Sequence, residues 1–146
     1  MEVKKVRKKI ATILLFLLAL CIIQCSPKRQ IIKEEEEGVL KRRVQEYWSC
    51  RIKGEWERCY LYESPNYREE TKIQAYVNQN ARFPMKWEGY EIMDLWTYDG
   101  EGHVKLLVKY RYLIPKIQGK GVFGRTTGER WEKKDGEWYR ISEEVR

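Results

Sequence analysis

Four cysteines, one histidine and a set of charged residues placed among aromatics are the parts of this sequence with chemistry to offer. Cys21, Cys25, Cys50 and Cys59 form no Cys-x-x-Cys pair and His103 is the single histidine, so the spacing a zinc or iron–sulfur site requires is missing and neither metal nor cofactor is expected. Cys50 and Cys59 fall at the junction of two helical patterns, where they make either a disulfide or two small buried thiols. Near the C-terminus Arg125, Thr127, Glu129 and Trp131 occupy alternate positions, so the two charges would line a mouth or pair on a surface. Trp131 and Trp138 come close across the last hairpin, as core or rim. No nucleophile, base and orienting group converge, so the sequence offers no catalytic set of its own.

The N-terminus carries a different kind of chemistry. Lys4, Lys5, Arg7, Lys8 and Lys9 precede the uncharged run from Ile10 to Cys25. A basic start before an apolar core is the pattern of an export signal, because the positive end stays in the cytoplasm while the core enters the bilayer. The segment resembles that of bacterial lipoproteins, in which a cysteine closing the apolar core is lipidated. Cys25, followed by the polar Ser26-Pro27, fits that role best; Cys21 is the alternative, and an uncleaved anchor is a further one. The formal net charge of +7 is largely this leader. Removing its five basic residues and one acid from totals of 29 and 22 leaves 24 against 21, scattered along residues 26–146, so no phosphate-tracking face and no nucleic-acid partner are expected. Export would also place the chain where disulfides persist, and with Cys25 lipidated and Cys21 removed, Cys50 and Cys59 remain as a pair closing a short loop, worth about 2–3 kcal/mol in the chain-entropy model.

Positioning these residues falls to a chain that reads as signal or anchor (1–25), tether (26–33) and one α+β domain (34–146). Glu34 to Glu37 suit a helix N-terminus, Leu40, Val44, Tyr47, Trp48 and Ile52 recur at helical spacing, and Gly54 supplies a stop. A second helix, roughly 55–62, presents Trp56, Cys59 and Tyr60 and ends at Ser64-Pro65. Thr71 and Gln74 resemble a capping box for a third, with Ile73, Tyr76 and Val77 on its apolar stripe and a stop at Arg82-Phe83-Pro84. Strands follow. Tyr90 to Tyr98, the turn at 99–102, and alternating Val104, Leu106, Val108, Tyr110 and Tyr112 predict a hairpin; Gly119, Gly121 and Gly124 predict a bent or bulged third strand; and Asp135-Gly136 turns a second hairpin. Helices first and an antiparallel meander second make α+β.

The combination of Tyr47-Trp48, Gly54-Glu55-Trp56, Glu63-Ser64-Pro65-x-Tyr67 and Trp131-x-x-x-Asp135-Gly136-x-Trp138-Tyr139 resembles the nuclear transport factor 2-like superfamily over about residues 34–143. The resemblance implies a strongly bent sheet wrapped around helices as a cone, often with a pocket, for which Tyr47, Trp48, Tyr110, Arg125 and Trp131 are the lining or rim candidates. Isomerase and dehydratase members use an acid with tyrosines, or histidine with aspartate, which directs attention to Asp94, Glu91, His103, Tyr110 and Tyr112. A two-residue loop in the first hairpin would put Met93 and Leu95 on the face of Val104, Leu106 and Val108 and turn Asp94 outward beside Lys105 and Lys109; a one-residue bulge would turn it inward. His103 sits beside the turn with no second histidine to relay a proton.

The expected function is therefore a non-catalytic binding or scaffold module of the cell envelope, held at a membrane by the N-terminal segment, with a small apolar ligand or an envelope protein as partner. Two alternatives stand beside it. One is a small-molecule lyase or isomerase, which needs Asp94 to meet Tyr110 or Tyr112; the other is a dimeric accessory subunit that uses Trp96, Leu107 and Leu113 on the outer sheet face.

Overall fold

Helix α1 runs Pro27–Lys53 and ends where the sequence says it should. Gly54 adopts φ +74°, its N–H donates to Arg51 C=O at 3.2 Å, and the Glu55 N–H donates to Cys50 C=O at 2.9 Å, which together satisfy the last carbonyls as a Schellman motif. The computed structural model describes residues 27–114 and 121–142; Cys21, Cys25 and the rest of the apolar leader lie outside the described residues. The unit Glu35–Arg146 carries the fold discussed here.

The helix begins at Pro27 and not at the acids, so residues 27–33, expected as a short tether, are helical. Glu36 and Glu37 consequently lie within the helix and serve the sheet: Glu36 Oε1 is 2.8 Å from Lys133 Nζ, and Glu37 Oε1 accepts from the Thr97 N–H at 3.4 Å. A dipole cap needs the first turn, and these acids are no longer in it. The apolar stripe does what its spacing predicts. Leu40, Val44, Tyr47 and Trp48 are buried in the core.

Three short helices follow: α2 (Trp56–Tyr60), α3 (Pro65–Glu70) and α4 (Ile73–Ala81). Cys50 and Cys59, both fully buried, are bonded to each other with Cα atoms 5.7 Å apart, so the end of α1 is clamped to α2. Helix α3 is unanticipated, because Ser64-Pro65 reads as a stop as readily as a start. Ser64 is its N-cap, with Oγ accepting from the Tyr67 N–H at 3.3 Å, and Pro65 opens the first turn, where its missing N–H costs nothing. Thr71 then closes α3 and does not cap α4. Lys72 precedes α4 without a side-chain cap, and Ile73 is exposed where the predicted stripe would bury it.

Strands β1 (Met85–Tyr98), β2 (Glu101–Tyr112), β3 (Phe123–Lys134) and β4 (Glu137–Ile141) form an antiparallel meander in sequence order. Both tight turns place Asp-Gly at positive φ, Asp99-Gly100 at 49° and 76° and Asp135-Gly136 at 51° and 84°, as two-residue hairpin loops demand. The bulges fall in β1, at Glu88 and Met93, and the β2–β3 register runs without a shift, so the bend expected in the third strand lies in the first. On the inner face Thr97, Leu95, Ile92, Tyr90 and Trp87 meet Gly102, Val104, Leu106, Val108 and Tyr110 across the ladder. Helix α1 packs on that face through edge-on aromatic contacts, Tyr47 on Trp131 at 5.8 Å and Trp48 on Trp87 at 5.3 Å between ring centroids. Gly102 permits the closest approach, since a Cβ there would stand 2.5 Å from Leu40 Cδ2. Among the described residues no helix is long and apolar enough to cross a membrane.

Candidate functional site

The turn after α2 is stitched to β4: the Arg140 N–H donates to Tyr62 C=O at 2.7 Å and the Ser64 N–H donates to Arg140 C=O at 2.9 Å. Those bonds fix Glu63 between them, and its side chain is fully buried. Oε1 accepts from Tyr76 OH at 3.1 Å, from Arg140 Nη1 at 3.1 Å and from Tyr47 OH at 3.4 Å; Oε2 accepts from Ser142 OH at 2.6 Å and from Arg140 Nη1 at 3.2 Å. A carboxylate offers about four lone-pair sites, so Glu63 has none left for a substrate proton.

Arg140 also faces a second buried acid. Its Nε stands 3.4 Å from Glu129 Oε1, an ion-pair distance whose angle does not make a hydrogen bond, while Glu129 Oε2 takes the Trp131 indole N–H at 3.3 Å. Burial opposes the charged guanidinium, yet Tyr47, Glu129 and Glu63 outweigh it and hold the Arg140 pKa above its ordinary value. The phenols move the same way: burial, first of all, pushes Tyr76 and Tyr47 up, so both remain proton donors to the cluster. This group is a closed ion network. Its chemistry is to hold β4, α1 and α4 together.

Beside it lies a cavity of about 300 Å³ inside the cone, walled by Trp48, Trp56, Phe83, Met85 and Trp87 and floored by Val108 and Thr127. Arg51, Arg125, Arg140 and Glu129 supply its charge. Arg51 lies over the rings of Trp87 and Trp48, 4.7 and 4.9 Å from their centroids, and spends Nη1 on Tyr47 OH at 3.1 Å. Its Nε is buried without a partner, as is the Trp48 indole N–H. A second void, about 410 Å³, opens on the Glu63 side and shares Arg51, Gln79, Asn80 and Arg140 with the first.

Of the residues the sequence singles out for a pocket, Trp48 and Arg125 line the aromatic cavity and Tyr47 lines its neighbour. Trp131 does not; it is fully buried core. Tyr110 joins Tyr112, Trp87 and Phe123 in an aromatic cluster with centroids 5.4–6.1 Å from its own, and itself lines neither void. Asp94 is exposed opposite Lys105, its Oδ1 accepting from the Leu95 N–H at 3.0 Å, and it meets neither Tyr110 nor Tyr112. The bulge is real but sits at Met93, beyond Asp94 as counted from the turn; it therefore leaves Asp94 outside, exposes Met93 and turns Ile92 inward in its place. Glu91 is exposed as well, and His103 stacks on Trp96 at 3.8 Å on the outer face. There Asp94, Trp96, His103, Lys105 and Arg130 line an open groove of about 530 Å³. Sequence reading missed Glu63, Arg51, Tyr76 and Arg140 as site residues. For Arg140 a signal existed: alternation along β4 places it on the face of Trp138.

No protein-family model and no curated protein matches the chain. Solved structures do. A SEC-C motif containing protein from Psychrobacter arcticus aligns with TM-score 0.58 and 13% identity over 75% of this chain, which spans 62% of that structure's length, less than two thirds. A second SEC-C motif containing protein, from Rhodopseudomonas palustris, aligns at 0.52 and 10% over 65% of this chain and 69% of its own. A ketosteroid isomerase-like protein from Erwinia carotovora atroseptica aligns at 0.52 and 13%, over 73% of this chain and 91% of that one. The chain has the nuclear transport factor 2-like fold. At these identities the likeness speaks to the backbone and to nothing bound by it.

Proposed function

We propose that this chain is a non-catalytic binding module of the cell envelope, exported and held at a membrane through Cys25, whose cone receives a small ligand. The observation that carries the reading is the division of labour inside the cone. The acid–tyrosine group of Glu63 with Tyr47 and Tyr76 has every acceptor occupied by the protein, whereas the adjoining aromatic cavity is walled for contact and keeps unpaired donors. The basic, then apolar, N-terminal pattern supports the tether. The lyase or isomerase alternative loses Asp94, which faces outward, and retains only Glu129 as an acid on the cavity wall.

Two experiments test this reading. In a bacterial host fed a radiolabelled fatty acid, the wild type should take up label and sediment with membranes, and Cys25→Ser should do neither. Label retained in Cys25→Ser and lost in Cys21→Ser would move the anchor. For the cone, Glu129→Gln should still bind ligand; a ligand converted by the wild type and left intact by Glu129→Gln would establish an enzyme instead.

A further inference from the structure

Arg51 is the one cavity residue whose guanidinium lies among aromatics, its Nε buried, with no carboxylate in reach. Nη1 is committed to Tyr47, and the remaining edge, Nε and Nη2, makes no hydrogen bond; Nε is buried as well. Trp48, which is 2% exposed, adds a second orphaned donor on the same wall. Buried donors without partners are rare in folded proteins and call for an acceptor that the protein does not itself supply. The charge points the same way. Three guanidiniums, those of Arg51, Arg125 and Arg140, face the cavity against the single carboxylate of Glu129, and Arg125 has no ion-pair or hydrogen-bond partner among the described residues.

Building on the binding reading above, we propose that the cone cavity binds a small aromatic carboxylate, its carboxylate received side-on by Nε and Nη2 of Arg51 and its ring laid among Trp48, Trp56 and Trp87. A guanidinium edge presents two parallel N–H bonds at the spacing of carboxylate oxygens, which a neutral ligand cannot answer, and the tryptophan walls offer an inorganic anion no ring contact. Contacts with the two tryptophan rings and the Nη1 bond to Tyr47 confine the Arg51 guanidinium before a ligand arrives. A volume near 300 Å³ is at the small end of ligand pockets and suits a one- or two-ring body. Arg125, at the exposed end of the cavity, adds attraction for the anion on entry.

Isothermal titration calorimetry on the full chain in detergent decides the matter with 2-naphthoate, its neutral counterpart 2-naphthalenemethanol, and inorganic phosphate as probes. Naphthoate should bind saturably, the alcohol at least tenfold more weakly, and phosphate should not compete at equal concentration. Arg51→Met should lose at least tenfold in naphthoate affinity, and Arg51→Lys, which keeps charge but not the fork, should lose nearly as much; circular dichroism shows whether each variant is folded, and Trp96→Ala on the outer face should bind as the wild type does. Equal affinity for acid and alcohol, or undiminished affinity in a folded Arg51→Met, overturns the carboxylate assignment and leaves a binding cavity standing. Failure of naphthoate and alcohol alike to bind at millimolar concentration overturns the carboxylate and the binding reading together.

Discussion

Two neighbouring polar regions of the cone share Arg51 and Arg140 and treat them oppositely. Around Glu63 the carboxylate is saturated: two phenols, a hydroxyl and a guanidinium converge on its two oxygens. A few ångströms of sequence-distant packing away, the aromatic cavity leaves the Arg51 Nε and the Trp48 indole N–H unanswered. The contrast separates architecture from function by a physical criterion. A saturated buried network resists rearrangement and gives a substrate nothing to bind, while an unsatisfied one is stabilised when something enters.

The largest effects should come from breaking the saturated side. Glu63→Ala removes the acceptor of Arg140, Ser142 and both tyrosines, and should cost about 3–5 kcal/mol in urea unfolding because it leaves the largely buried Arg140 with Glu129 alone. A loss under 1 kcal/mol would show that the cluster is not what holds β4. Replacing both Cys50 and Cys59 with Ser should cost roughly 2–3 kcal/mol by freeing α2 from α1; two alkylatable thiols in the folded wild-type protein would remove that contribution. Gly102→Ala forces a Cβ against Leu40 and Trp138 and should cost about 1–3 kcal/mol of overpacking, read as a lower unfolding midpoint.

Alkaline pH sharpens the comparison more gently. Burial raises the Tyr76 and Tyr47 phenols above their ordinary value of 10.0, so the folded state holds protons that the unfolded chain releases there. Their contribution is fully present below pH 10 and falls as pH rises beyond it. Unfolding midpoints should therefore be level between pH 8 and 9 and drop above 10, and the drop should shrink in Tyr76→Phe. Least of all, Asp94→Asn on the outer face should leave stability and ligand binding unchanged.

Much of this frame is legible in the sequence itself. Asp-Gly pairs at both turns need positive φ, and alternation of Val104, Leu106 and Val108 sets one sheet face, so both hairpins and the outward Asp94 followed from local rules. What local rules miss is where polar residues meet over long separations. Glu63 and Arg140 stand 77 residues apart, and each is of a type that ordinarily reads as surface. The Met93 bulge escaped for a related reason. An extra residue in a strand leaves no mark in the pattern of side chains, and it decides that Ile92 and not Met93 turns to the core. Helix α3 was hidden by ambiguity, since Ser-Pro both ends helices and begins them.

Paired urea unfolding of Arg140→Met and Arg51→Met tests the division most directly, because the same substitution is made once in each region. Arg140→Met leaves Glu63 and Glu129 buried and uncompensated and should lose about 3–5 kcal/mol. Arg51→Met removes an unsatisfied donor along with its contacts to two tryptophans, and should stay within about 1 kcal/mol of the wild type. Equal losses in the two variants, or the larger loss at Arg51, would contradict the account, for Arg51 would then be a structural ion like Arg140 and not a group held open for a ligand.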